Sequence, residues 1–301
     1  MITLTLILLL PFQLISSSQK ADMFDYCAQH ERNTPCMYHC VRSSKCGHTG
    51  TSYQDLNNQE RELIIHLHNL KRARLATGNG ISLLPPKLPR YIPVSYDKEC
   101  EFIAGCFAKQ CSNHPDKMRI ALDSTRLGQN RYIFSMRRGS QHTKTLSELR
   151  LQLISAAIHS WFNPGLLLPE ARYSEIHDSY VPVFYPQRTA TFTQMVWEKT
   201  LFVGCAIMHS VRDTKWDMYE VLCNYRPEGN IVGQKVYTID NEKIPCTPRK
   251  SGSAFVCENY IRNNSDDNYD PPVNLNMAWR ISNGAGGNIV QIVAVFTLVY
   301  F

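Results

Sequence analysis

The chain has 301 residues, of which 44% are hydrophobic and 19% are charged, a balance typical of a globular protein of one or two domains with a sizeable core. Its 32 basic and 26 acidic residues give a net charge of +6. No dense block of Lys or Arg marks a nucleic-acid site, so we expect a solvated surface and exclude a nucleic-acid partner.

Residues 1–18 have the pattern of a secretory signal peptide. The run Ile2–Ile15 is mostly apolar, and Ser16–Ser18 offer small residues for cleavage. The run is too short to span a membrane. We therefore predict a secreted protein and leave these residues out of the fold.

The cysteines agree with export, because disulfides form in oxidising compartments. No two of them have the two-residue spacing of a zinc knuckle, which argues against metal binding through cysteine. Their odd number leaves at least one thiol free, modified or bonded to another chain. There are 11: Cys27, Cys36, Cys40, Cys46, Cys100, Cys106, Cys111, Cys205, Cys223, Cys246 and Cys257.

Two helices are predicted in the first half of the chain. The first opens at Asn57, whose side chain can form a capping box with Glu60, and it ends near Thr77. The second covers about 96–111. On it Cys100 and Cys111 share one face, while Cys106 lies about 120° away. Cys106 is thus either an anchor for the cysteine-rich segment 19–54, which we expect disulfides to staple to the domain, or the odd thiol. By its angle we choose it as the odd thiol.

A third helix and a hairpin follow. The helix is predicted over Leu146–Phe162, because Pro164–Gly165 stops its apolar periodicity. Two strands, Val203–Met208 and Trp216–Asn224, flank a turn near residue 213. Since 214 is the midpoint between Cys205 and Cys223, an antiparallel hairpin places these two cysteines opposite each other, at a separation that a disulfide can bridge.

The C-terminal part is polar and then apolar. Cys246 and Cys257 can close a small loop, and Asn263 begins an exposed glycosylation sequon. The last segment, Ile289–Phe301, has no charge and follows small residues at 282–287. It is either a buried strand or the signal for a glycolipid (GPI) anchor.

Four motifs, in this order, carry a family resemblance. They are His68–Arg72 (HNLKR), Gly128–Asn130 (GQN), Phe192–Thr200 (FTQMVWEKT) and Val221–Ile231 (VLCNYRPEGNI). Together they resemble the cysteine-rich secretory, antigen-five and pathogenesis-related (CAP, or SCP-domain) superfamily. The N-terminal cysteines look closest to its arthropod venom-allergen, or antigen-five, branch.

The resemblance implies an α+β fold, a three-layer α-β-α sandwich around an antiparallel sheet and stapled by disulfides. Three amphipathic helices mixed with paired strands suit that architecture. The implied organisation is a signal peptide at 1–18, a cysteine-rich segment at 19–54 and the CAP domain at 55–240. A C-terminal extension at 241–281 and an apolar tail at 282–301 with the GPI-anchor pattern complete the chain.

In this family a central cleft often holds two histidines and two acidic residues that can bind a divalent metal. By resemblance, His114 matches the first histidine and Gln129 the first acidic position, while the other two positions carry Pro164 and Thr191. The amide of Gln129, the aliphatic ring of Pro164 and the hydroxyl of Thr191 cannot replace two carboxylates and an imidazole as zinc ligands. We therefore expect no metal and no cofactor, unless Glu175, His177 and Asp178 in the nearby loop compensate.

The expected function is binding rather than catalysis. No Gly-x-Ser-x-Gly elbow is present, and no carboxylate is identifiable that would orient His114 as a base. The resemblance implies an extracellular lipid or sterol, or a protein partner, as the ligand. Loops 82–93 and 164–188 either form the binding surface or cover the core. The alternatives are a metal-dependent, protease-like extracellular enzyme using His114, and a structural surface protein held in the membrane only by a GPI anchor.

Overall fold

The fold is described from a computed structural model of the chain. It describes residues 23–47, 52–77, 92–138, 145–167, 180, 189–211, 215–237, 248–251 and 254–257. The helices are α1 (Met23–Gln29), α2 (Thr34–Tyr38), α3 (Asn58–Thr77), α4 (Lys98–Ala108), α5 (Leu146–Phe162) and α6 (Thr189–Val196), with 3₁₀ turns at Ser44–Cys46 and Asn163–Leu167. The strands are β1 (Ser52–Tyr53), β2 (Ser95–Tyr96), β3 (Gly128–Arg137), β4 (Phe202–Val211), β5 (Trp216–Arg226), β6 (Pro248–Ser251) and β7 (Ala254–Cys257).

Capping residues fix where the main helices begin. At the start of α3 the Asn57 backbone N–H donates to Glu60 Oε2 at 2.8 Å, and the Glu60 N–H donates to Asn57 Oδ1 at 2.9 Å. A second capping box joins Thr145 and Glu148 at the start of α5. Asp97 caps α4 by accepting from two backbone N–H groups. Each cap satisfies donors that the first helical turn leaves unpaired.

The main sheet has the order β1-β4-β5-β3, and β2 pairs in parallel with the start of β4. β4 and β5 form an antiparallel hairpin in which Cys205 lies opposite Cys223, and β3 runs antiparallel along the other side of β5. Nearly every residue of β4 is buried. Since side chains alternate between the two faces of a strand, this burial means that helices cover the sheet on both sides.

The helices form two layers, one on each face of the main sheet. One packs α3, α5 and α6 on the sheet, and the larger cluster of buried residues lies there, including Trp161, Phe192 and Trp197. The other packs α4 on the opposite face, where Phe107 belongs to the same hydrophobic cluster as Ala206 and Leu222. The chain therefore folds as the expected three-layer α-β-α sandwich.

Four disulfides staple the described part of the chain. Cys27–Cys36 lies within the N-terminal segment, and Cys40–Cys106 and Cys46–Cys111 tie that segment to α4 and the residue stretch after it. Cys205–Cys223 joins the paired strands, with an S–S distance of 2.00 Å and a Cα–Cα distance of 4.0 Å. The N-terminal segment, which has few apolar residues of its own, is thus held against α4.

The choice of Cys106 as the odd thiol is wrong. Cys106 is bonded to Cys40, and the free cysteine among the described residues is Cys100, which is fully buried. The angular argument separated the two faces of α4 but not which of them meets the N-terminal segment. Cys100 faces the sheet beside Gly204, away from the disulfides that tie the N-terminal segment to Cys106 and Cys111. The helix is also shorter than predicted, because it ends at Ala108 and Cys111 takes a positive φ of 45°.

Several sequence predictions fall outside the described residues. They are the signal peptide, Cys246 and its bridge to Cys257, the Asn263 sequon, the tail 282–301 and most of loops 82–93 and 164–188. No helix in the described ranges has the length and apolarity needed to cross a membrane.

Candidate functional site

The four family cleft positions lie on four different elements. His114 is exposed on the residue stretch after α4, and Gln129 is half-buried on β3. Pro164 is buried in the 3₁₀ turn that follows α5, and Thr191 is half-buried near the start of α6. The side chains of Gln129 and Thr191 form hydrogen bonds that stabilise the fold.

Gln129 and Thr191 serve as structural hydrogen-bonding groups. Gln129 Nε2 donates to Asn224 Oδ1 at 2.9 Å, across the β3–β5 pair. Thr191 Oγ1 donates to the Trp161 carbonyl at 3.2 Å, which ties α6 to the end of α5. Neither side chain carries a charge, so neither supplies the carboxylate or imidazole that a zinc site needs.

An ion pair that sequence reasoning missed lies under this region. Arg131 on β3 places its Nε 2.5 Å from Glu220 Oε1 on β5, and both side chains are about nine-tenths buried. The same guanidinium donates to the Ser112 carbonyl, two residues before His114. The Arg131 carbonyl in turn accepts from Trp161 Nε1 at 3.1 Å. The negative charge of the Glu220 carboxylate is therefore balanced by the Arg131 guanidinium.

Asp116 is a second buried carboxylate near the cleft. Its Oδ1 accepts from Thr34 Oγ1 at 2.6 Å, which connects it to α2. Burial raises the pKa of Asp116, against the attraction of Arg119 and the hydrogen bond from Thr34. Within the described ranges, no group of three or more His, Cys, Asp or Glu side chains is arranged to hold a metal ion. Glu175, His177 and Asp178, the residues that could compensate, lie outside those ranges.

His114 lines a cavity at the surface. Its volume is about 500 Å³, within the range of small-molecule sites. One wall is the 3₁₀ turn of the N-terminal segment, the other is the stretch that begins at Cys111, and the Cys46–Cys111 disulfide joins the two walls. The lining residues are Ser44, Lys45, Gly47, Cys111, Ser112, Asn113, His114 and Val211.

The family motifs meet in a buried hydrogen-bond network rather than in this cavity. His68 Nδ1 lies 2.8 Å from the Ile64 carbonyl, and its Nε2 lies 3.0 Å from Tyr225 Oη. Burial lowers the pKa of His68 to about 4, so the ring is neutral at pH 7. A neutral ring that donates from Nδ1 must accept at Nε2, so the Tyr225 hydroxyl donates to it.

The network continues into the other motifs. Asn130 Nδ2 donates to Tyr225 Oη at 3.2 Å and to the Thr191 carbonyl at 2.9 Å. Asn69 exchanges two hydrogen bonds with the backbone of Val94. These residues tie helices and loops to the sheet, as expected for buried amides. Trp197 and Tyr225 are buried in the core and are not exposed for ligand stacking.

Comparison with known proteins gives the relatives of the chain. No family model matches it. A venom allergen 5 from Microctonus hyperodae is 28% identical over 69% of this chain and 84% of the relative. A venom allergen 5 from Tityus serrulatus is 31% identical over 71% of this chain, which spans half the length of that relative. A venom allergen 3 from Solenopsis invicta is 25% identical over 66% of this chain.

Two solved structures are also similar in part. The crystal structure of NaASP2 with Zn²⁺ is 21% identical, with a TM-score of 0.45, and covers 65% of this chain and 94% of its own. BmVAL-1 is 22% identical, with a TM-score of 0.46, and covers 68% of this chain and 90% of its own.

Fold, motifs and relatives define the class as a disulfide-stapled α-β-α sandwich built on the network around His68 and Tyr225. The chain's relatives are venom-allergen, or antigen-five-like, proteins, in agreement with the CAP-superfamily resemblance of its motifs.

Proposed function

We propose that the protein is an exported, non-catalytic CAP protein that binds an extracellular ligand, either a lipid or sterol or a protein partner. The proposal rests on the different roles of the residues around His114. The cleft positions Gln129 and Thr191 hold the fold together, while a cavity of about 500 Å³ opens beside the imidazole. Such a site has room for a ligand, and the described residues that line it include no carboxylate that could pair with His114 for proton transfer.

Two further features support export. Four disulfides among the described residues suit an oxidising compartment. Residues 1–18 have the signal-peptide pattern. The GPI-anchor pattern of residues 282–301 stays a prediction from sequence, and release of the protein from intact cells by a phosphatidylinositol-specific phospholipase tests it.

The experiment is a thermal melt of the purified protein with and without a candidate ligand such as cholesterol. A ligand at 100 times its dissociation constant adds about 2.7 kcal/mol to the free energy of unfolding. In a domain of this size that raises Tm by roughly 5–10 °C. Ligand recovered unchanged after incubation supports binding without turnover, and consumed ligand contradicts the proposal.

The alternative, a metal-dependent enzyme using His114, makes an opposite prediction. Such a protein carries stoichiometric divalent metal after mild purification and loses both metal and peptide hydrolysis in His114→Ala. The matched control is His39→Ala, because His39 is also an exposed histidine and lies in the N-terminal segment outside the cavity lining. Our proposal predicts that the two variants have the same metal content and the same lack of activity.

A further inference from the structure

The lining of the cavity has a positive charge. Of its eight residues Lys45 is cationic, His114 contributes an imidazole ring, and none is Asp or Glu. Three described carboxylates on neighbouring elements have partners of their own. Asp217, opposite the lining residue Val211, lies 3.0 Å from His209 Nε2. Glu220 is paired with Arg131 at 2.5 Å, and Asp116 accepts a hydrogen bond from Thr34. An anion entering the cavity therefore meets no described carboxylate in its wall.

Several of the lining residues carry hydrogen-bond donors. Lys45 offers an ammonium group, Ser44 and Ser112 offer hydroxyls, and Asn113 offers an amide. Ser112 Oγ accepts from the His114 backbone N–H at 3.1 Å, which leaves its O–H group able to donate. A group with several acceptor oxygens around one centre matches such a set better than a single hydroxyl or a planar amide does.

The walls are held before a ligand arrives. The Cys46–Cys111 disulfide links the two sides, and the Ser43 N–H donates to the Lys109 carbonyl at 2.9 Å. The Arg131 side chain also donates to the carbonyl of Ser112, which belongs to the wall that begins at Cys111. Because these contacts fix the backbone of both walls, the backbone loses little conformational entropy on binding, which favours affinity for a small ligand.

We propose that this cavity binds the sulfate or phosphate ester group of a small extracellular ligand. The inference rests on the proposed binding function and adds the chemical class of the ligand. The oxyanion lies between Lys45 and His114, and the body of the ligand contacts Val211 and the Cys46–Cys111 disulfide. No bond is made or broken.

The test uses the full secreted protein with its disulfides oxidised, titrated calorimetrically at pH 7 and low salt. The probes are glucose 6-sulfate, glucose 6-phosphate and glucose. Both esters are expected to bind and glucose is not, and the ratio of the two ester affinities distinguishes a sulfate site from a phosphate site. Since a charge-assisted hydrogen bond contributes more than a neutral one, Lys45→Gln is expected to weaken ester binding about tenfold.

Lys199→Gln is the matched control. Lys199 is exposed just before β4, whereas Val211 ends that strand, so the two lie about 30 Å apart. The control removes the same charge and is expected to leave ester binding unchanged. Equal weakening in both variants overturns the inference, because the attraction would then come from net charge alone.

The remaining outcomes separate the inference from the proposed function. Glucose binding as tightly as its esters overturns the anion site and leaves a binding protein. If neither ester binds but cholesterol still raises Tm, the anion site is likewise overturned and the protein remains a binding protein. Failure of the esters, glucose and cholesterol alike contradicts the inference and counts against the proposed function as well.

Discussion

A buried ion pair between Arg150 and Glu60 joins the start of α3 to α5. Arg150 Nε lies 2.5 Å from Glu60 Oε1 and Nη2 lies 3.0 Å from Oε2, with side chains 9% and 1% exposed. The same guanidinium donates to the carbonyls of Gln54 and Asp55 at 3.3 and 3.4 Å. The pair thus holds the chain entering α3 as well as the two helices.

Arg150→Met keeps much of the side-chain volume but leaves the Glu60 carboxylate buried without its cation. Breaking a buried pair on one side costs about 3–5 kcal/mol of folding free energy. At roughly 2–4 °C per kcal/mol, Tm is expected to fall by about 10 °C. Glu60→Gln in the same chain removes the unpaired charge, so the double variant should recover part of the loss.

Guanidinium unfolding at pH 7, followed by tryptophan fluorescence with the disulfides oxidised, measures these differences. Arg32→Met is the control, since Arg32 lies 3.8 Å from Glu31 and both side chains are more than 70% exposed. It is expected to change the free energy of unfolding by no more than about 0.5 kcal/mol. The reasoning is refuted if Arg150→Met costs no more than Arg32→Met, or if the double variant loses the sum of both single losses.

Three further predictions concern buried positions. Burial raises the pKa of the Cys100 thiol, so a thiol reagent at pH 8 should label it only after unfolding; rapid labelling of native protein would contradict this. Burial lowers the pKa of Lys71 to about 8, so the charged form is penalised below pH 8 and the penalty fades towards pH 10.5. Lys71→Met should therefore stabilise the protein by about 1–3 kcal/mol at pH 7 and by less at pH 10; a gain that does not shrink would argue against it. Gly204→Ala should reduce the yield of folded protein, because its Cβ would clash with the backbone of Asp97 and Glu101; a wild-type Tm would disprove that packing.

The sequence predicted those elements whose ends are determined by residues close by in the chain. The bounds of α5 match the prediction because Thr145 and Glu148 cap one end and Pro164 follows the other. The facing of Cys205 and Cys223 followed from a hairpin, whose register depends on neighbouring residues. Strand β3 was missed, since its side chains are half-buried and give no clear alternation.

The candidate site depends on contacts that are distant in the sequence. The sequence singled out His114 but gave no reason to connect it with Lys45, 69 positions earlier. The Cys46–Cys111 disulfide makes that connection, and bridge connectivity among several cysteines cannot be deduced from spacing. The Arg131–Glu220 pair likewise arises from the β3–β5 register.

Native mass spectrometry of the mildly purified, secreted protein tests the central claim most directly. It reports in one spectrum whether a chain carries an organic ligand or a metal ion. The account predicts an organic mass that leaves on gentle activation, with no stoichiometric divalent metal. One divalent metal ion per chain, absent from the spectrum of His114→Ala, would contradict it.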